Sequence, residues 1–210
     1  VSASNEFNKD LAFSEQASQR EFWMDAYRQF FVDLVDYTCN FPEGSRAQLN
    51  GIDRVLTLKS GREVRIDEKT RRPRYSPGEH GILLEVVSNN TTPGNDGWMN
   101  KSLMIDYLAY GFAGPEVAYL FPWDALRKAW VNNRNNWKEK AWAEVDGFKA
   151  IPARNPNEGY TTWSVAVPTD TLLAAVSSAQ VVEVSNKGET GGNEESREDL
   201  YGEDEQVGLV

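Results

Sequence analysis

Two runs flanking Lys59-Ser60-Gly61 constrain the fold more than any other part of the chain. Residues 52–58 and 62–69 read as the two strands of an antiparallel hairpin. A three-residue hairpin loop favours a type I turn closed by a left-handed residue, and Gly61 stands at that third place. The register follows. Leu58 faces Arg62, Leu56 faces Val64, Arg54 faces Ile66 and Asp53 faces Asp67. Leu56, Leu58, Val64 and Ile66 share one face, while Asp53, Val55, Arg65, Asp67 and Lys69 share the other. A slip of one residue would turn the apolar set into water, so the pairing is strongly specified.

That register places two carboxylates opposite each other with an ammonium on the same face. Cβ atoms of directly opposed residues lie about 4.5–5.5 Å apart, so Asp53 and Asp67 repel unless a cation lies between them. Oxygen-only ligands favour Mg²⁺ or Mn²⁺. Such an ion stabilises a pentavalent phosphate and activates water, and Lys69 beside it can orient that water or stabilise developing charge.

Charge, taken whole, argues the other way. The 210 residues carry 32 acids and 22 bases, a net of -10 that phosphates would repel. The average hides an uneven distribution. Residues 183–210 hold nine acids and two bases in a Gly/Glu-rich stretch, read as an acidic, disordered tail. Residues 46–74 hold nine bases and four acids, and a second basic stretch runs through Arg127, Lys128, Arg134, Lys138 and Lys140. Local positive patches of this kind suit a phosphate-backbone binder. Cys39 is the only cysteine and His80 the only histidine, which excludes an intrachain disulfide framework and sites needing two imidazoles. His80 lies in a turn-like Pro77-Gly78-Glu79-His80-Gly81 and reads as a surface-loop residue. No apolar run reaches the length of about 18 residues needed to cross a membrane. The first residues lack a signal-peptide pattern, so a cytoplasmic protein is expected.

The remaining elements read as follows. Trp23, Tyr27, Phe30 and Leu34 fall on one helical face, predicting a helix over residues 14–37 with Ser14 as N-cap. A third, central strand is expected at 81–88 and a helix at 98–110. A fourth strand follows at 116–121, then a helix opened by Pro122 over 123–131, with more helix at 137–142. A late strand at 162–167 and a short helix capped by Thr169 end the body. The predicted class is α/β, with a mixed central sheet flanked by helices and the core order α-β-β-β-α-β. Residues 1–182 form one domain in this reading, and 183–210 the tail.

Asp53 and the intact Asp67-Glu68-Lys69 resemble the motif of the PD-(D/E)XK nuclease superfamily, which includes restriction enzymes, phage exonucleases and archaeal Holliday-junction resolvases. The expected element order agrees with that superfamily's restriction-endonuclease-like core. The likeness spans residues 14–121 as a pattern, and Ile52 replaces the proline before the first aspartate. It implies a Mg²⁺- or Mn²⁺-dependent deoxyribonuclease of the kind carried by phages and mobile elements. Asp53, Asp67 and the backbone carbonyl of Glu68 would hold the metal, and Lys69 would be the catalytic lysine. A helix acid often joins such sites. Glu21 and Glu15 are the candidates, although Ser18-Gln19-Arg20-Glu21 also fits a capping box. Glu85 is a further candidate on the third strand, or a solvated edge residue. Gln48 is a candidate supporting polar group. Arg71, Arg72 and Arg74 follow the lysine and are expected on DNA phosphates, or simply in water. DNA is the expected partner, with a homodimer and a tail-bound protein as further candidates. The rival readings are a nuclease-like DNA- or protein-binding module without activity, a viral structural or interaction protein, and an unrelated α/β protein whose Asp53 and Asp67 lie apart.

Overall fold

The computed structural model describes residues 21–38, 41–42, 44–155 and 158–184. Ser14, Glu15, Ser18, Cys39 and residues 185–210 of the expected tail lie outside them. The elements in chain order are α1 (Glu21–Phe30), β1 (Leu34–Thr38), α2 (Arg46–Leu49), β2 (Arg54–Leu58), β3 (Glu63–Arg71), α3 (Pro77–His80) and β4 (Ile82–Val87). A single 3-10 turn at Trp98–Asn100 precedes β5 (Tyr107–Phe112) and β6 (Val117–Pro122). Then come α4 (Trp123–Ala143), β7 (Lys149–Asn155), β8 (Tyr160–Val167), α5 (Thr169–Ala175) and β9 (Gln180–Glu183). The fold is mixed α/β.

Two sheets carry the strands. The larger has the order β1-β2-β3-β5-β6-β9, and the smaller has β4-β8-β7. From Arg54 to Thr57 the β2–β3 hairpin has the register read from its sequence, with Arg54 paired to Ile66, Val55 to Arg65, Leu56 to Val64 and Thr57 to Glu63. The expected pairing of Asp53 with Asp67 is not part of the ladder, because Asp53 N–H donates to Ile66 O instead. Leu58 N–H donates to Arg62 O at 3.0 Å and Gly61 N–H to Leu58 O at 2.8 Å. Gly61 closes that turn at φ 79°, where a side chain would be strained. Of the neighbouring pairs in the large sheet, β3 and β5 alone run parallel. Asp67 pairs there with Leu108 and Lys69 with Tyr110.

One face of the large sheet is covered by α1. Trp23, Ala26, Tyr27 and Phe30, spaced at helical intervals, bury against Leu56, Leu58, Val64, Ile66, Ala109, Ala118 and Leu120. Trp23 and Tyr27 stack at 5.6 Å. Truncating a core tryptophan of this kind costs about 3–5 kcal/mol. The opposite face packs on a second apolar core built with Ile82, Leu84 and Val86 of β4 and Leu126, Trp130 and Trp137 of α4.

Several expected elements take other forms. The helix over 14–37 stops at Phe30 among the described residues. Leu34 fits the helical spacing, yet the segment Leu-Val-Asp-Tyr-Thr pairs with β2 as a strand. Its β-branched and aromatic residues gain more on an edge strand than in a further helical turn. The helix over 98–110 is reduced to one turn, and Tyr107–Phe112 is a strand whose residues from Leu108 to Phe112 are all buried. A parallel strand covered on both sides loses the alternation that marks strands in sequence. The third strand, expected at the centre, belongs to the smaller sheet beside β8. Helix α4 is continuous over both expected helical pieces, with Pro122 as its N-cap rather than its first residue. Thr169 is the first helical residue of α5, behind Pro168, and its hydroxyl donates to Pro77 O at 2.8 Å. Strands β1, β7 and β9 were not anticipated. Glu183 ends β9 and Val184 is buried in the α1 core, so both belong to the folded body.

Candidate active site

Strand β3 carries charge on both faces, and alternation decides which charges meet. Glu68 points toward α1. Its carboxylate forms an ion pair with Arg54 Nε, accepts from Arg54 Nη2 at 3.3 Å, and accepts from the Tyr27 hydroxyl at 2.7 Å. The Arg54 guanidinium carbon lies 5.6 Å from the Tyr27 ring centre and 5.2 Å from that of Tyr37. Burial pushes the Glu68 carboxyl up, while Arg54 and Tyr27 oppose the rise. Tyr27's own hydroxyl is raised by burial and by Glu68, which keeps it a donor. Glu68, Arg54 and Tyr27 satisfy one another under the helix.

Asp67 and Lys69 point to the other face. Asp67 is only 2% exposed, and its Oδ1 pairs with Lys69 Nζ. The Lys69 side chain keeps 35% of its surface, and Nζ also lies 3.4 Å from Glu68 O. Asp53 sits just before β2. Its N–H donates to Ile66 O at 2.9 Å, and its Oδ2 accepts from Glu68 N–H at 2.9 Å. The regular ladder therefore ends at Arg54 and Ile66, and Asp53 is tied to β3 by its own backbone and side chain. Burial pushes the Asp67 carboxyl up to about 7; Lys69 opposes this, and the Asp53 carboxylate adds to it by charge and hydrogen bond. Burial alone would lower Lys69, but Asp67 and Asp53, with Glu85 behind them, raise it above the ordinary lysine range. The two aspartates and the lysine thus form one coupled cluster.

The other expected residues divide. Glu85, on β4, contributes to the field that raises Lys69, while its Oε1 accepts from Ser88 Oγ at 2.5 Å and Trp98 N–H at 3.3 Å. Gly97 lies against that strand so closely that a Cβ would come 2.4 Å from Glu85 O. Glu21 is exposed at the start of α1, the helix on the opposite sheet face, and has no hydrogen bond or ion pair to Asp53, Asp67 or Lys69. Gln48 is likewise not brought to the cluster: its Oε1 accepts from Gly44 N–H and its own N–H donates to Ser45 Oγ, a local cap of α2. Arg71 ends β3 on the Asp67 face, with its guanidinium carbon 3.9 Å from the Tyr75 ring centre. Arg74 is exposed and covers the same ring at 4.9 Å, donating to the Tyr75 hydroxyl at 2.9 Å. Arg72 is half-buried. His80 packs edge-on against Tyr75, and its Nδ1 accepts from Ser76 N–H at 3.2 Å, so the lone histidine supports this loop.

Sequence reasoning missed the partners. Arg54 pairs with Ile66, so alternation alone put it on the face of Glu68, and that signal was present. Tyr27 was read only as core. Tyr110 stands beside Lys69 through the β3–β5 pairing and accepts from Leu83 N–H at 3.2 Å. No local signal revealed it, because the pairing joins segments about forty residues apart. Arg65 and Asp106 form a two-pronged ion pair with both contacts at 3.0 Å.

Among the described residues no group of three or more His, Cys, Asp or Glu side chains is arranged to hold a metal, and no helix is long and apolar enough to cross a membrane. No family model, no curated protein and no solved structure matches this chain.

Proposed function

We propose that this chain is a metal-dependent deoxyribonuclease of the restriction-endonuclease-like, PD-(D/E)XK type. The observation that carries this reading is the cluster of Asp53, Asp67 and Lys69 on one face of the hairpin, with both carboxyls and the ammonium mutually coupled. The element order adds support from an unexpected set of strands. Helix α1, the antiparallel neighbours β1, β2 and β3, and then β5 supply the α-β-β-β start and final strand of that core. A long excursion containing β4 stands where the core's second helix is expected.

The residues fit a hard divalent cation. Mg²⁺ keeps several waters and needs only one or two carboxylates, which Asp53 and Asp67 provide, with Glu68 O as a further oxygen. When bound, the ion stabilises charge on the phosphate and lowers the pKa of water. The chain's own groups do the rest. Lys69 stays protonated because of its acidic neighbours, so it acts as a cation and hydrogen-bond donor, not as a base. Asp67 must lose its proton to act as a ligand, which favours neutral to alkaline pH. Arg71, Arg72 and Arg74 extend from the same strand end and hold phosphates of the bound strand.

The test uses supercoiled, linear, single-stranded and branched DNA with Mg²⁺ or EDTA. Cutting that needs Mg²⁺ and is lost in Asp67→Ala and Lys69→Ala supports the reading. Cutting that survives in both removes these residues from the site. One observation favours a second reading, a nuclease-like binding module without activity: Lys69 already neutralises Asp67 as a structural ion pair would. That reading expects DNA binding with no cleavage under any metal.

A further inference from the structure

A half-open cavity of about 550 Å³ lies between α4 and the smaller sheet, lined by Val86, Val87, Lys138, Glu139, Trp142 and Trp163. Its size falls in the range of small-molecule sites, about 300–1,000 Å³. Trp142 is 54% exposed on α4 and stacks on Trp163 of β8, with ring centres 5.8 Å apart and planes 25° from parallel. The other tryptophans of α4, Trp123, Trp130 and Trp137, are buried, so Trp142 alone among them presents its ring to solvent. An indole left in water at the mouth of an apolar cavity is an unused aromatic face.

The helix that walls it is basic along its length, while the lining itself holds one cation and one acid. Helix α4 holds five bases, Arg127, Lys128, Arg134, Lys138 and Lys140, against Asp124 and Glu139. Arg134, Lys138 and Trp142 are spaced by four residues, one stripe along the helix leading to the cavity. Lys140 is turned away onto Asp146 at 2.8 Å, and Arg127 is held by Lys101 O. Arg134 and Lys138 are the cations on this stripe, and Lys138, whose Nζ lies 5.7 Å from the Trp130 ring centre, also lines the cavity. Glu139 is the one acid of the lining.

We infer that Trp142, Trp163 and Lys138 form a stacking site for an unpaired base of a single-stranded nucleic acid, with Arg134 and Lys138 on its phosphates. A flat apolar face next to a track of cations is what single strands require, since every base offers a π-face and every residue a phosphate. A duplex is a poor occupant, because its bases already cover one another. The inference rests on the nucleic-acid reading and extends it. Strand β4 carries Glu85, whose charge acts on Lys69, and Val86 and Val87, which line the cavity.

The experiment titrates the full chain, in EDTA so that nothing is cut, with a fluorescein-labelled twelve-residue oligothymidylate. The same sequence in duplex form and a peptide of residues 185–210 are run beside it. Anisotropy reports affinity, and quenching of tryptophan emission reports stacking. Trp142→Ala is expected to weaken the single strand about tenfold or more and to remove part of the quench. Lys138→Gln is expected to reduce the slope of log affinity against log salt by about one. Circular dichroism checks both folds. No binding by the parent chain, binding unchanged in Trp142→Ala, or Trp142-dependent binding of the peptide or duplex in preference to the single strand would each overturn the inference. Trp142-dependent binding without any Mg²⁺-dependent cleavage would remove the nuclease and leave the stacking site. Asp67-dependent cleavage with Trp142-independent binding would do the reverse.

Discussion

The two faces of β3 put the same kinds of side chain to opposite uses. On the α1 face, Glu68 is enclosed with Arg54 and Tyr27, and every charge has its partner. On the other face, Asp67 is as deeply buried but shares one lysine with a second acid, and its carboxyl is pushed up to about 7. The lesson is that burial alone does not mark a working site. A satisfied buried pair is architecture, whereas a buried carboxyl beside a like charge is held above its ordinary range even with a lysine on it.

The largest effect should come from breaking the satisfied face. Arg54→Met leaves Glu68 buried without its partner and is expected to cost about 3–5 kcal/mol in urea unfolding. Adding Glu68→Leu should recover most of that loss. If the single variant were as stable as the parent, the contrast between the faces would collapse. Next comes the reactive face. Lys69→Ala is expected to lower the cleavage rate by about 10²–10³, the usual cost of removing one charge-stabilising donor, while the fold persists.

A pH-resolved melt sharpens the comparison further. The folded-state pKa of Asp67 is raised from 3.8 to about 7, so the folded protein holds this proton more tightly than the unfolded chain. Its contribution to stability is therefore full below pH about 4 and lost as pH rises through about 7. Asp67→Asn should abolish that particular decline in a thermal melt. Mg²⁺ at a hundredfold excess over its Kd should add about 2.7 kcal/mol at pH 8 and much less at pH 5, where Asp67 is protonated. The smallest effect belongs to Glu21→Ala. Exposed on the far side of the sheet, it should leave stability within about 0.5 kcal/mol and cleavage unchanged; a large loss of cleavage would bring α1 back into the site.

What was legible in the chain follows the range of the contacts. The hairpin register, the left-handed Gly61 and the separation of Leu56, Leu58, Val64 and Ile66 from Asp67 and Lys69 could all be read, because turn chemistry and alternation act within fifteen residues. The helical face of Trp23, Tyr27 and Phe30 was legible for the same reason. Leu34 misled by falling on that spacing by chance. The segment 107–112 misled because burial on both sides erases the periodicity that separates strand from helix. Glu85 near Lys69 depends on how β4 lies against the larger sheet, Tyr110 beside Lys69 on the β3–β5 pairing, and the Trp142–Trp163 pair on how α4 lies against β8, and no short-range pattern encodes these.

The parallel pairing of β3 with β5 has a consequence in time. Asp53 and Asp67 are joined by a hairpin that can close within microseconds, whereas Tyr107–Phe112 reaches β3 only after the whole excursion through β4 has been threaded out and back. The two acids therefore meet while still hydrated. The later arrival of β5 and the second sheet strips away that water. During synthesis and refolding, the chain should thus assemble the geometry of its site first and acquire the unusual chemistry of that site last.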